Sequence, residues 1–247
     1  MNAADAALLA GAGFGAGVVN AVAGGGSLIT FPALLAVGYP SITANITNSV
    51  AVLPGYVGGS LAYRRELGGQ RARIRMLSGT CALGSATGAA LLLIGPASVF
   101  EAIAPWLILL ACALLAAQPR IAAAARDAAR APSPVVLHGA LFAATVYGGY
   151  FGAGMGILLL AILGVFVDDG LQRLNALKGL LALLIAFVSA VGFVIFGPIA
   201  WDAAAIVGAT SMLGGAVGVA TARRLPAGVL RVLVIAYGVT VALVLLL

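Results

Sequence analysis

The sequence predicts an all-α polytopic membrane protein: two inverted repeats of about five hydrophobic elements each, with helices that are glycine-broken or re-entrant near the midplane. Three observations support that fold class. Of the 247 residues, 63% are hydrophobic and only 8% are charged, whereas a soluble domain carries about 25% charged residues. Apolar runs recur with the same spacing in both halves, and one of them is interrupted by three consecutive glycines. The runs do not alternate, as the ~10-residue strands of a membrane barrel would.

Apolar elements follow one another along the chain, with a polar linker between the halves. The first transmembrane repeat, 1–117, is predicted to hold elements at about 6–23, 27–38, 43–63, 76–94 and 99–117. The element at 27–38 is shorter than the roughly 20 residues of a complete span, so it is a half-helix or an irregular crossing. A cytoplasmic linker is predicted at 118–134. The second repeat, 135–247, is predicted to hold elements at about 135–151, 155–167, 171–196, 201–222 and 227–247.

The two halves match at a constant offset of 130 residues. Glycine, asparagine and proline coincide at this offset: Gly24 with Gly154, Gly26 with Gly156, Asn45 with Asn175, Gly84 with Gly214, and Pro96 with Pro226. Asn48 falls on Lys178. Because such residues are less common in an apolar chain than alanine and leucine, their coincidence indicates a duplicated gene. Glycines spaced four apart, such as Gly84 and Gly88, indicate close helix packing.

Basic residues indicate that the repeat is inverted. The basic loop 64–75 corresponds, at the offset, to 194–205, which has no Lys or Arg, and the basic stretch 223–231 corresponds to 93–101, which has none either. Positive loops face the cytoplasm, so equivalent loops lie on opposite faces. This requires an odd number of crossings per half: five, or three plus a re-entrant hairpin. Both termini are then predicted to lie outside the cytoplasm.

The stretch 20–49, NAVAGGGSLITFPALLAVGYPSITANITNS, has features that a plain spanning helix does not need. A helix broken at membrane depth must satisfy its freed backbone groups within protein or a cavity. Gly-interrupted segments at corresponding positions of two halves indicate a transporter's binding site. Helices starting at Ser27, which is expected to act as a cap, and near Ser41 would present N–H donors that favour anions.

The predicted site combines these donors with polar side chains. Asn45 and Asn48 are three residues apart, as are Asn175 and Lys178, so each pair shares one helix face, and the inversion would bring the faces together. Several neutral donors and one Lys charge suit a small, oxygen-rich anion. The alternatives are interhelical hydrogen bonding for Asn45 and Asn175, and snorkelling of Lys178 to the interface. The predicted substrate-binding residues are Gly24, Gly25, Gly26, Ser27, Asn45, Thr47, Asn48, Ser49, Gly154, Gly156, Asn175 and Lys178.

Two motifs support a resemblance to a known family. The first is Gly-Gly-Gly-Ser at 24–27, with the following proline and Ala-Asn-Ile-Thr-Asn-Ser at 44–49; the second, a looser match, is Gly-Ala-Gly-Met-Gly at 152–156 with Arg-Leu-Asn-Ala-Leu-Lys at 173–178. With the length and the duplication, they resemble the TauE/SafE family of membrane permeases, often called sulfite exporters. The resemblance covers the whole chain and implies export or uptake of sulfite, sulfonates or related sulfur anions.

The predicted function is a secondary transporter or facilitator that exports a small sulfur-containing anion, sulfite or an organosulfonate, by alternating access. The alternatives are a carrier of another small anion or of a metal ion, and an intramembrane enzyme. His138, the only histidine, lies beside the linker, and no Gly-x-Ser-x-Gly or HExxH motif occurs, which disfavours an enzyme. One His, no carboxylate pair in the apolar runs and no Cys pair leave a metal ion without ligands.

No catalytic residue, metal site or cofactor is predicted. The predicted partners are a small inorganic or organic sulfur anion and the lipid bilayer, with a homodimer left open. Nucleic acid is not predicted, because the basic residues lie in short loops between apolar runs. The predicted location is the cytoplasmic (inner) membrane. All seven acidic residues lie in predicted loops or at element ends, which favours transport without obligatory proton coupling.

Overall fold

The structure, a computed structural model, describes residues 1–22, 25–127, 133–221 and 227–246. Regular structure in these ranges is α-helical throughout, which confirms the predicted class. The helices are α1 Ala3–Val22, α2 Ser27–Ala36, α3 Ser41–Ala51, α4 Leu53–Ala62, α5 Arg71–Ile94, α6 Ala97–Asp127, α7 Pro134–Tyr150, α8 Met155–Phe166, α9 Leu171–Phe196, α10 Trp201–Thr221 and α11 Ala227–Leu246. Among the described residues, five helices are long and apolar enough to span a membrane: α1, α5, α6, α9 and α11. The chain is therefore a multi-pass membrane protein.

Two stretches differ from the predicted bounds. The predicted element 43–63 is two helices, α3 and α4, because Pro54 has no N–H for the helical ladder, and the N–H of Gly55 instead donates to the carbonyl of Val52, at 3.1 Å. The helix α6 continues to Asp127, so the first part of the predicted linker 118–134 is helical. Its alanine-rich sequence favours a helix. Residues 128–132 of that linker lie outside the described ranges.

Hydrogen bonds between loops define two ends of the molecule. At the basic end, Arg73 Nη1 donates to Asp169 Oδ2 at 2.8 Å, which joins the start of α5 to the loop before α9. At the acidic end, Ser41 Oγ donates to Glu101 Oε1 at 3.2 Å and Tyr39 Oη donates to Asp202 Oδ1 at 3.4 Å. The helices α5 and α9 run from the basic end to the acidic end, over 24 and 26 residues. The helices α3 and α4 run the other way.

The helix order supports the predicted repeat. At the offset of 130 residues, α1 and α2 correspond to α7 and α8, α3 with α4 corresponds to α9, and α5 and α6 correspond to α10 and α11. The pair α3–α4 and its equivalent α9 run in opposite directions, and so do α5 and α10. These are the directions that an inverted repeat requires.

The helices α7 and α8 form a hairpin that enters from the basic end. The helix α7 runs parallel to α5. Thr80 Oγ1 of α5 lies 2.6 Å from His138 Nδ1 near the start of α7, and further along both helices a Cβ on Gly88 of α5 would lie 2.8 Å from the backbone N of Tyr150. The helix α8 then returns, since Asp169 follows it at the basic end. At 1.5 Å per residue, α7 reaches about 25 Å into the protein, roughly two-thirds of the length of α5.

The helices α1 and α2 form the matching hairpin from the acidic end. The helix α1 runs parallel to α10, because a Cβ on Gly13 would lie 2.9 Å from the carbonyl of Val207, and a Cβ on Gly17 would lie 2.6 Å from the N of Gly215. The helix α2 leads back to Tyr39 at the acidic end. Each half thus contributes one hairpin that turns back within the protein and three stretches that run from end to end, which agrees with the second of the two arrangements that the charge pattern allowed. The inverted repeat itself stays a prediction.

Candidate functional site

A narrow cavity of about 30 Å³ lies between the tips of the two hairpins, the junction of α3 and α4, and the middle of α9. It has room for one or two water molecules, so an oxyanion needs the lining helices to separate. Its polar lining comes from hydroxyl and amide groups: Ser27, Asn48, Ser49, Tyr56 and Ser189. Its apolar lining comes from both halves: Val52, Gly148, Phe151, Gly152, Met155, Ala182, Ile185 and Ala186. The described lining includes no charged side chain.

Two pairs of residues that are equivalent in the two halves line this cavity. Val52 and Ala182 are 130 residues apart, as are Tyr56 and Ala186. A cavity lined by equivalent residues of both halves is expected close to the axis that relates the predicted repeats. This is where inverted-repeat transporters place their substrate sites.

The first hairpin tip depends on two of the predicted glycines. Gly25 has a φ of +92°, in the left-handed region that favours glycine. Gly26 leaves no space for a side chain, because a Cβ would lie 2.6 Å from the carbonyl of Ala16, and its N–H donates to Asn20 Oδ1 at 2.7 Å. The predicted cap at Ser27 is wrong: Gly26 occupies the N-cap position and no side chain caps α2. Gly24 lies outside the described residues.

Ser27 is instead the first residue of α2 and lines the cavity. Its N–H has no acceptor among the described residues, because the first N–H groups to bond backwards are those of Leu28 and Ile29, to the carbonyls of Gly25 and Gly26. A helix start with a spare N–H next to a cavity is a donor available to an anion.

The second hairpin tip turns at two further glycines. Gly152 has a φ of +82° and Gly154 a φ of +76°, and Gly154 is the N-cap of α8. Gly154 also lies against α6, since its Cβ would be 3.5 Å from the Cα of Ala111. Gly156 lies in the first turn of α8 with open space beside it. Its N–H has no acceptor in the described ranges, but Gly156 does not line the cavity.

Asn48 is the polar side chain with the clearest position for binding. It is 2% exposed, and its Oδ1 accepts a hydrogen bond from Thr30 Oγ1, which fixes the amide so that Nδ2 is the remaining donor. That nitrogen makes no hydrogen bond with the described residues, and Asn48 lines the cavity. The next residue, Ser49, also lines it while its hydroxyl donates to the carbonyl of Asn45, at 2.9 Å.

Asn45 and Thr47 connect helices and do not line the cavity. Asn45 Nδ2 donates to the carbonyl of Tyr150 at 2.9 Å, so α3 is bonded to the second hairpin tip. The Oδ1 of the same amide is buried without a partner among the described residues. Thr47 Oγ1 accepts a hydrogen bond from the N–H of Ala200 at 3.0 Å, which holds the loop before α10 against α3. The Asn45 nitrogen thus makes an interhelical hydrogen bond, which was the alternative to substrate binding for this residue.

Asn175 and Lys178 form a pair of their own, outside the cavity lining. Lys178 Nζ donates to Asn175 Oδ1 at 3.1 Å, and both side chains are half-buried. Lys178 precedes the cavity residue Ala182 by four residues of α9, a rise of about 6 Å towards the basic end. In this conformation the two predicted faces are thus not joined in one cavity, and the Lys178 pair lies between the cavity and the basic end.

Sequence analysis missed Tyr56 and Ser189, which both line the cavity. Ser189 lies in the apolar run of α9 and its hydroxyl donates to the carbonyl of Ile185 at 3.0 Å. Tyr56 lies just beyond the break at Pro54. A single hydroxyl residue within an apolar run was the only signal available. Within the described ranges, no group of three or more His, Cys, Asp or Glu residues could hold a metal ion.

Comparisons with known proteins agree with this architecture. The family model described as "Sulfite exporter TauE/SafE" matches residues 9–245. A protein of Haemophilus influenzae named "Probable membrane transporter protein" is 28% identical over 208 residues, which cover 83% of this chain and 80% of the relative. A Sinorhizobium protein named "Probable membrane transporter protein ORF9" is 28% identical over 245 residues, covering 95% and 90%. No solved structure matches at a significant level. Because the family match extends over nearly the whole chain, this protein belongs to the TauE/SafE family of sulfite exporter-like membrane transporters.

Proposed function

We propose that this protein is a secondary transporter that exports sulfite or an organosulfonate across the cytoplasmic membrane by alternating access. The observation that supports it most is the cavity between two hairpins that enter from opposite ends. Asn48 Nδ2 and the N–H of Ser27 are spare donors at this cavity, and no charged group lines it within the described residues. Donors already oriented beside a buried cavity bind an oxygen-rich anion through charge-assisted hydrogen bonds.

Neutral donors also suit a substrate that must leave again. A buried Lys or Arg in direct contact would add the attraction of a full opposite charge, whereas neutral amide and hydroxyl donors contribute only their hydrogen bonds, about 1.5–3 kcal/mol each to a charged acceptor. We propose that the positive charge that serves the anion is Lys178, which lies outside the cavity lining and is paired with Asn175. There it attracts an anion from the basic end towards the cavity. The other predicted site residues, among them Asn45 and Thr47, hold the helices that form the lining.

The membrane potential supplies a driving force in the export direction. An inside-negative potential favours expelling a monovalent anion by about 2.3 kcal/mol per 100 mV, which corresponds to roughly a forty- to fiftyfold gradient. A proton-coupled carrier usually keeps an ionisable residue in its interior. No Asp, Glu or His lines the described cavity. We therefore propose export driven by the potential and the anion gradient, without obligatory proton coupling.

The test is flux of radiolabelled sulfite into proteoliposomes with the membrane potential and the pH gradient imposed separately. An inside-positive potential should drive accumulation of sulfite, and a pH gradient at zero potential should not. Flux of a divalent metal ion, measured in the same vesicles, should stay at the level of protein-free liposomes. Uphill accumulation under a pH gradient alone would contradict the driving force, and metal flux without sulfite flux would contradict the substrate class.

The role of Lys178 can be tested against a matched loss of charge. Lys178→Gln removes the interior charge, and Arg75→Gln removes a charge that is exposed at the basic end. A positive charge about one helical turn from the cavity attracts the anion without a direct hydrogen bond, so Lys178→Gln should weaken half-saturation by sulfite severalfold. Arg75→Gln should change it little. Equal effects of both variants would show that Lys178 acts only through overall charge.

A further inference from the structure

Two arginines from the first turns of different helices converge on one carboxylate at the basic end. Asp169 Oδ2 accepts a hydrogen bond from Arg73 Nη1 at 2.8 Å, and Arg173 Nε donates to Asp169 Oδ1 at 2.8 Å and to Oδ2 at 3.0 Å. Arg73 belongs to the first half, whereas Asp169 and Arg173 belong to the second. We call these three residues the basic latch, because they tie the start of α5 to the loop between α8 and α9.

The backbone and one amide reinforce the same connection. Arg173 Nη1 donates to the carbonyl of Gly68 at 3.0 Å. Gln70 is 2% exposed, and its Nε2 donates to the carbonyl of Arg173 at 3.2 Å, while its Oε1 accepts from Arg73 Nη1 at 3.3 Å. When the latch is closed, the loop 63–70 therefore lies against the start of α9, the helix that carries Lys178 and four of the thirteen residues that line the cavity.

Some N–H groups of Arg73 and Arg173 make no hydrogen bond with the described residues, and both arginines line an open depression. Arg73 donates only through Nη1, and Arg173 only through Nε and Nη1, to the described residues. A surface depression of about 390 Å³ beside them is lined by Gly69, Gln70, Ala72, Arg73, Met76 and Arg173. The carboxylate is more buried than the guanidinium groups, since the exposed fractions are 14% for Asp169, 31% for Arg73 and 40% for Arg173.

We propose that Arg73 and Arg173 form an entry site for the oxyanion, and that the incoming anion opens the latch by taking the place of the Asp169 carboxylate. This inference rests on the proposed anion transport. A guanidinium group binds a carboxylate and a sulfur oxyanion with the same planar pair of N–H donors. Two guanidinium groups on a single carboxylate leave one positive charge uncompensated, which attracts a second anion. Asp169 thus occupies the position for which the substrate anion competes.

Displacement of Asp169 has a mechanical consequence. Without that carboxylate, no side chain among the described residues joins Arg73 of the first half to the loop before α9, whereas the start of α9 is still held by Gln70 and by the bond from Arg173 Nη1 to the carbonyl of Gly68. The loop before α9 can then move away from the start of α5, which opens a path towards Lys178 and the cavity. Entry of the anion and opening of the basic end become one event.

The experiment measures exposure of a buried position behind the latch. Val167 is 7% exposed and precedes Asp169 by two residues, so a thiol introduced by Val167→Cys reports separation of this loop. The native Cys81 and Cys112 are both buried and should not react with a membrane-impermeant maleimide. Methanesulfonate and sulfate serve as probes, because sulfite itself reacts with maleimides. Chloride at equal ionic strength is the control for charge screening.

Methanesulfonate or sulfate should accelerate labelling of the Val167→Cys variant severalfold over chloride. The added change Arg73→Gln should abolish this response, whereas Arg75→Gln, an equal loss of charge two residues away, should preserve it. Asp169→Asn should give fast labelling without any oxyanion, because the competitor is gone. If neither oxyanion changes the rate, or if Arg73→Gln and Arg75→Gln respond alike, the entry site is wrong. Sulfite flux in liposomes is measured separately, so failure of the latch and failure of the proposed transport are distinguishable.

Discussion

At the residue scale, the candidate site depends on how one amide is held. The bond from Thr30 Oγ1 to Asn48 Oδ1 orients a side chain that could otherwise turn either end to the cavity. The hydroxyl of Thr30 also lies 3.4 Å from the carbonyl of Gly26, at the first hairpin tip. The glycine break therefore sets the direction of the donor, although the two residues are more than twenty positions apart in sequence.

Replacing this donor without changing its shape is the sharpest test of the site. Asn48→Asp retains an acceptor for Thr30 but places a negative oxygen where Nδ2 was, so sulfite uptake into proteoliposomes should fall below detection. Asn48→Ser is too short to place a donor where Nδ2 was and should weaken half-saturation by at least about tenfold, since a hydrogen bond to a charged group contributes about 1.5–3 kcal/mol. Thr87→Ala, which removes an exposed hydroxyl bonded within α5, should change nothing. Normal sulfite uptake by Asn48→Asp would exclude Asn48 from the site.

The pH dependence of stability should report the Asp169 ion pairs. Burial raises the pKa of Asp169, but hydrogen bonds from Arg73 and Arg173 lower it by more, so that its pKa lies below the ordinary value. A carboxylate with a depressed pKa stabilises the fold above its unfolded pKa of about 3.9, and this contribution is lost as the pH falls through the folded pKa.

Thermal unfolding in detergent should therefore separate the wild type from Asp169→Asn most strongly at neutral pH. The difference between the two melting temperatures should shrink as the pH falls below about 4, because the wild-type carboxylate becomes protonated and resembles the amide. A difference that stays constant down to pH values well below the carboxyl range would show that the ion pairs contribute nothing to stability.

At the element scale, glycine faces bring the hairpins against the crossing helices. A Cβ on Gly84 would lie 2.8 Å from the carbonyl of Phe142 on α7, and one on Gly88 would meet the carbonyl of Val146. Gly214 likewise packs against Phe14 between α10 and α1. The predicted packing role of these glycines is confirmed. In lipid, such close approach replaces the hydrophobic drive that holds helices together in water.

A pair of alanine substitutions on α5 tests this packing. Gly88→Ala would drive its Cβ into the backbone of α7, which cannot yield as a flexible side chain can, so stability should fall by about 1–3 kcal/mol. Gly79→Ala lies on the same helix with open space beside it and should be tolerated. The measurement is the fraction of monodisperse protein after heating in detergent. Equal losses for both variants would refute the close contact of α5 and α7.

The bounds of the helices were predicted from the sequence more accurately than the contacts of the side chains were. Apolar runs and glycine breaks are properties of the chain alone, so the bounds of α8, α9 and α10 agree with the predicted ones within a residue. The break at Pro54 was missed because membrane helices tolerate proline. The roles of Asn45 and Tyr56 depend on which neighbour each helix face meets, and helical spacing does not contain that information.

At the scale of the whole molecule, charge and loop contacts agree on two opposite ends. Charge placed equivalent loops on opposite faces, but the length of 27–38 left re-entry undecided. The return of α2 to the acidic end, where Tyr39 contacts Asp202, favours re-entry. With the described arginines gathered at the basic end and Glu101 and Asp202 at the other, the basic end is predicted to face the cytoplasm.

Accessibility of single cysteines tests that orientation. Arg71 is exposed at the basic end, and Trp201 is 58% exposed at the acidic end. In whole cells, an impermeant maleimide should label Trp201→Cys directly, and should label Arg71→Cys only after the membrane is permeabilised. Labelling of both from the same side would contradict the inversion. The parent protein, with its two buried cysteines, is the background control.

The interruption of α3 and α4 next to Pro54 has no counterpart in α9, which is continuous over 26 residues. If the halves were identical, the inward-open and outward-open forms would be related by the two-fold axis between the repeats and would have equal energy. The crossing consists of two helices in the first half and of one continuous helix in the second, which removes that equality. We therefore expect the inward-open and outward-open forms of the empty carrier to have different populations. Apparent affinity scales with the population of the competent form. The two faces of the membrane should therefore show different half-saturation concentrations for the same anion, even with no gradient imposed.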